Sequence, residues 1–256
     1  MKYNRFLVLI IPALIFLLLE LILIFPKFFY LGLILSNLFL ILTIWFFQRK
    51  KFIEADWKLG AGSLVTPVFF LTSLTVYAAL SSSKIIIHSL FLIIALFLYF
   101  YSKSIYYYFA NSPMYKSQTF KSLSAFGNLL IIFFASASIY WLQSFLGLSV
   151  WLLMLCLLIL VLVISYQASW INKIPINKAF IFIMFIGLVM LEVGWSISFL
   201  PLNYKATGLI LAICYYILSG ITWIFVNGTL DKRALKLYLS FGFIGIFLIL
   251  LTARWL

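Results

Sequence analysis

Nine predominantly apolar stretches of about twenty residues follow one another from Phe6 to Ala253, cut wherever charges, proline, or glycine with asparagine interrupt them. Runs such as Leu7 to Leu19 and Leu152 to Ile164 have no polar face to turn toward water. In water they would expose apolar patches that a soluble fold does not tolerate. A bilayer solvates them and requires only that every backbone N–H and C=O be satisfied internally. A β-barrel also meets that requirement, but its strands read as about ten residues of alternating polarity, and these runs do not alternate. The expected fold class is therefore all-α: a polytopic transmembrane helical bundle of about nine helices, forming a single transmembrane domain over residues 1–256. Composition agrees, with 66% hydrophobic and 9% charged residues, against about 25% charged in soluble domains.

The segments fall at approximately 6–25, 28–47, 61–80, 84–101, 123–145, 148–170, 179–200, 206–226 and 237–253. The first has the basic start of a signal peptide, but it is too long and lacks a small-residue cleavage site, so it reads as a retained helix. Lysine and arginine set the sidedness, because cytoplasmic loops carry the excess. With the N-terminus in the cytoplasm, fourteen basic residues fall inside, and four, Lys27, Lys84, Lys205 and Arg254, fall outside. An odd number of spans then puts the C-terminus outside. The net charge of +13 is thereby accounted for at the headgroups of a lipid bilayer, and no nucleic-acid partner is expected.

The longest connection expected is cytoplasmic, 102–122, where Tyr106, Tyr107, Tyr108, Phe109, Pro113, Met114 and Tyr115 mix with lysines. That blend suits the headgroup interface and offers a surface for a protein partner. Trp45, Trp57, Trp141, Trp151, Trp170, Trp223 and Trp255 fall near segment ends as interface anchors.

Enzyme motifs are absent. There is no glycine-rich phosphate loop, no zinc-protease helix and one histidine, so an enzyme is the least supported class and neither metal nor cofactor is expected. Cys156 and Cys214 lie in apolar runs without metal-ligand spacing. The Asn227-Gly228-Thr229 triplet matches a glycosylation acceptor only by chance, since it falls on the cytoplasmic side.

Ionisable groups inside a bilayer are costly, about 2.5–3.5 kcal/mol at mid-helix on insertion scales, and mark candidate sites. Glu20 in the first segment, His88 in the fourth and Glu192 in the seventh share the outer half of the membrane. At 100° per residue, Gly187, Gly194 and Ser198 share one face of the seventh segment, with Glu192, Trp195, Ser196 and Phe199 opposite. The small face is expected to meet Gly208 and Ala212 of the eighth segment in a close hairpin, turning Glu192 into the bundle. Tyr215 or Tyr216 would then donate to it. Asn37, Asn128, Ser136 and Ser138 are expected as interhelical hydrogen-bond links.

The stretch from Leu191 to Pro201, followed by Gly208 and Tyr215-Tyr216, resembles a segment of polytopic bacterial membrane proteins of no assigned activity, and it covers about a tenth of the chain. The resemblance implies the bacterial inner membrane as location and carries no mechanism. The leading functional expectation is a small-solute or lipid-handling transporter with an outer-facing acidic binding site made of Glu192, Trp195, Glu20, His88, Ser196 and Tyr215. The alternative is a non-catalytic membrane subunit of an envelope or secretion assembly.

Overall fold

The computed structural model describes residues 3–52, 58–109, 117–226, 228 and 231–253. Trp57, Trp255, Asn227, Thr229 and the Pro113-Met114-Tyr115 part of the expected interfacial connection lie outside these residues. Among the described residues nine helices follow in order: α1 (Tyr3–Ile24), α2 (Phe29–Phe52), α3 (Lys58–Ala79), α4 (Lys84–Phe109), α5 (Ser117–Leu146), α6 (Val150–Ile171), α7 (Ile176–Ile197), α8 (Tyr204–Val226) and α9 (Lys232–Thr252). Each coincides with one apolar segment, and the chain is a multi-pass helical membrane protein. Eight helices are long and apolar enough to cross a bilayer, while the apolar part of α1 is the shorter run Val8–Ile24. With 26 and 30 residues, α4 and α5 reach about 39 and 45 Å, beyond the roughly 30 Å hydrocarbon core. Their extra turns occupy much of 102–122: α4 continues to Phe109 and α5 begins at Ser117.

The chain divides into two compact units, residues 1–128 and 129–256. The boundary falls inside α5, just after Gly127-Asn128, and the helix runs through it without a break.

In the first unit, α1 packs along α4, and α2 touches α1, α3 and α4. The α1 seam is Ile11, Ile15, Leu19 and Ile22, and α4 buries Leu90, Ile94 and Leu98, all spaced at three or four residues as one helical face requires. An aromatic column crosses three helices: Phe70 of α3 stacks on Phe97 of α4 with centroids 3.8 Å apart, Phe97 stacks on Tyr101, and Tyr101 meets Phe120 of α5. The Tyr101 hydroxyl donates to the Ser63 carbonyl at 2.9 Å, and Thr66 Oγ1 donates to Asn128 Oδ1 at 3.2 Å. Asn128 is thus an interhelical link, as expected. Asn37 is not, because its amide donates to Leu33 O of its own helix.

In the second unit, α6 packs on α7, α7 on α8 and α8 on α9. The inner α6–α7 connection is tight because Lys173 takes a left-handed φ of 58°, letting Ile174 N–H bond back to Ser169 O and Lys173 N–H to Trp170 O. These two bonds satisfy carbonyls that the end of α6 would otherwise leave open. The expected α7–α8 small-residue seam does not form. A Cβ on Gly187 would meet Leu162 and Leu158 of α6, and one on Gly194 would meet Leu157 of α6. Gly208 lies instead against α5, where a Cβ would come within 2.9 Å of Ala137 N and Phe133 O. The leucines of α6 fill the notch in α7, and α8 uses its own notch to approach α5 backbone to backbone. At the periphery, α9 rests on Ile213 and Ile217 of α8 and leaves Phe241, Phe243, Phe247 and Leu251 exposed.

Candidate functional site

The small face of α7 is taken by α6, and the opposite face is exposed among the described residues. Glu192 is exposed, in line with Ile181, Phe185, Leu188, Trp195 and Phe199. The expectation that it looks into the bundle is therefore corrected. Glu192 lies five residues, about 7.5 Å, before the end of α7. Trp195 and Ser196 share its exposure, with the Trp195 ring edge-on to Phe199 at 5.3 Å. Tyr215 is buried, 3% exposed, its hydroxyl near the equally buried Ser165 of α6 and turned away from the Glu192 face.

Glu20 and His88 do come together. Glu20 lies four residues before the end of α1 and His88 four residues after the start of α4, and His88 Nδ1 is 2.9 Å from Glu20 Oε1. The extensive α1–α4 packing sets this register. The pair sits at the rim, with side chains 24% exposed for Glu20 and 53% for His88. One carboxylate and one imidazole can share a proton or tie two helix ends together. They are too few to hold a metal ion, and the described residues contain no group of three or more candidate ligands.

A cavity in the second unit brings together residues that the search for ionisable groups passed over. About 240 Å³ of open space lies at the outer end, as the lysine count assigns it, between the end of α5, the end of α7 and the start of α8. Its polar lining is Tyr140, Gln143 and Ser144 of α5, Ser198 after α7, and Thr207 of α8. Ile197, Leu200 and Leu202 complete the wall. Two features hold the recess open. The Tyr140 hydroxyl donates to Gly194 O at 2.6 Å, pinning α5 to α7, and the Gly208 contact pins α8 to α5. Asn203 starts α8 by accepting Lys205 N–H on its side chain and Thr207 N–H on its carbonyl.

The sequence held a signal for this site. Ser136, Tyr140 and Ser144 recur at every fourth residue, a polar stripe on one face of α5, and Ser198 lies on the Gly187–Gly194 face. Neutral hydroxyls at helix ends look like ordinary interfacial polarity until the cavity is seen. No family model, curated protein or solved structure matches the chain.

Proposed function

We propose that this membrane protein binds a small solute or a lipid headgroup from the outer side of a cell membrane, in the recess of residues 129–256, and handles it as a transporter does. One observation carries the reading: five polar side chains, from α5, α8 and the residue that follows α7, surround about 240 Å³ of open space at one end of the helical bundle. Binding sites are concave, mostly apolar, and supplied with a few convergent polar groups. The volume equals roughly eight waters, which suits a group of a few heavy atoms rather than a drug-sized molecule. Buried hydroxyls continue below the recess, with Ser136 on α5, Tyr215 on α8 and Ser165 on α6 shielded from solvent. Polar groups of this kind are what a route deeper into the membrane needs.

The test is thiol labelling of intact cells with a membrane-impermeant reagent, in a chain lacking Cys156 and Cys214 and carrying one cysteine at Gln143 or Ser198. Labelling at both positions is expected. Protection of both, with Cys substituted at the exposed outer Ser83 labelled as a control, would sink the reading.

A second reading rests on the exposed face of α7. Glu192 interrupts a stripe of large apolar side chains, and a carboxyl at that depth favours a protein neighbour over hydrocarbon. That supports a membrane subunit of a larger envelope assembly, in the bacterial inner membrane that the sequence resemblance implies. Co-purification of a partner that Glu192→Leu abolishes is its test.

A further inference from the structure

The chemistry of the recess limits what can occupy it. Its hydroxyls give their single protons to helix carbonyls: Ser144 to Tyr140 O at 2.9 Å, Ser198 to Trp195 O at 2.6 Å, Thr207 to Asn203 O at 3.3 Å, and Tyr140 to Gly194 O at 2.6 Å. What each oxygen still offers is lone pairs, so the lining is rich in acceptors. Gln143 is the one lining side chain with amide protons to give. No lysine or arginine lines the space. Lys205, at the start of α8, has its Nζ over the Tyr204 ring at 5.8 Å.

Helix ends bias the recess the same way. Gln143 and Ser144 belong to the last turn of α5, Ile197 and Ser198 end α7, and Thr207 lies in the first turn of α8. Two helix C-termini, each carrying a partial negative charge, therefore face the space against one N-terminus. Acceptor oxygens and a net negative field in a small recess complement a compact cation that carries several N–H donors.

Resting on the reading of the recess as an outward-facing binding site, we propose that it binds a primary ammonium group. Such a group occurs on a soluble small amine and on an aminophospholipid headgroup. Its three N–H donors match the surrounding oxygens, and no carboxylate is required to hold it.

The test uses the full chain in detergent, without Cys156 and Cys214, with one cysteine from Gln143→Cys, which removes the amide with its donors and its one oxygen and keeps the four hydroxyl oxygens. Rates with cationic aminoethyl and anionic sulfonatoethyl methanethiosulfonate are divided by those of the same reagents with 2-mercaptoethanol. The cationic reagent is expected to be favoured roughly five- to tenfold, and millimolar ethanolamine, but not ethanol, should slow the reaction. Ser198→Cys repeats the measurement should Gln143→Cys fail to fold. Protection by free ethanolamine assigns a soluble amine. Protection in vesicles of phosphatidylcholine with phosphatidylethanolamine, absent in phosphatidylcholine alone, assigns the lipid headgroup. Equal rates, an anionic preference, or a cationic preference with no protection by either amine overturns the proposal and leaves the open recess standing. No reaction with either reagent removes the recess reading and the proposal together.

Discussion

The inner end of the first unit and the outer end of the second both gather hydroxyls and amides at helix ends, yet they dispose of them in opposite ways. At the inner end Ser63, Thr66, Ser102, Ser104, Ser124 and Asn128 are all buried, at most 3% exposed. Tyr101 bonds across to α3, and Thr66 bonds across to Asn128. Around the outer recess Gln143 and Ser198 are half-buried and Ser144 is exposed; Tyr140 alone bonds across, to α7, while the serine and threonine hydroxyls bond back to their own chain segment and their free lone pairs border open space. Hydrogen-bonding capacity that closes on itself between helices rigidifies a bundle. Capacity left facing a cavity is what a ligand can use.

The contrast breaks most readily at Gly208. A valine there forces α8 away from backbone atoms of α5 that cannot yield, so Gly208→Val should destabilise the protein by about 1–3 kcal/mol, read as a fall in thermal midpoint in detergent. The recess should lose its outer wall with it, and the cysteine at position 198 should then label without any charge preference. Gly194→Ala is the control. Its new methyl group meets the end of the Leu157 side chain, which can rotate, and the loss should stay under about 1 kcal/mol. Equal effects at the two glycines would mean that the α5–α8 approach does not define the recess.

At the inner end, Asn128→Ala removes the acceptor of Thr66 and should lower stability by about 0.6–1.7 kcal/mol, the range for interhelical hydrogen bonds in membranes. Labelling at Gln143→Cys should not change. If it does, the two ends are coupled and the inner knot is part of the functional machinery.

These two sites also show what the sequence could and could not carry. Apolar length located the nine helices among the described residues, eight of which are long and apolar enough to cross a bilayer, because a crossing helix must supply its own apolar run. Asn128 was legible as a link because a buried amide in a membrane helix needs a partner, although Asn37 met the same need within its own helix. The mating of small faces was not legible. Gly187, Gly194 and Gly208 announce close approach but not to which neighbour, and the hairpin partner was the wrong choice since α6 and α5 fill those notches. Glu192 was misplaced for the same reason. The recess escaped notice because it is made of neutral residues from three helices whose convergence depends on those packings.

A smaller change sharpens the outer end. Tyr140→Phe keeps the ring and removes the donor to Gly194 O, whose carbonyl still accepts Ser198 N–H within the chain. The expected loss is about 0.5–1.5 kcal/mol in thermal or denaturant stability. The preference of the recess for the cationic reagent should fall as one lining oxygen disappears, whereas a purely structural role for Tyr140 would leave that ratio unchanged.

The smallest effect is expected where the first unit has its own polar feature at the outer end. Glu20 and His88 join α1 to α4 at 2.9 Å, but the imidazole is half exposed and the α1–α4 seam is already secured by Ile11, Ile15, Leu19 and Ile22. A partly exposed ion pair contributes about 0–1 kcal/mol. Glu20→Gln retains an oxygen able to accept from Nδ1–H, so it should lose still less than Glu20→Ala. Thermal midpoints of Glu20→Gln, His88→Gln and the double variant give the coupling directly. A coupling under about 1 kcal/mol makes the pair a latch at the rim and leaves the recess as the site. A coupling above about 2 kcal/mol would place the pair in a far less polar setting than its exposure implies. The first unit would then own an ionisable outer site, and the division between a closed unit and an open one would fail there.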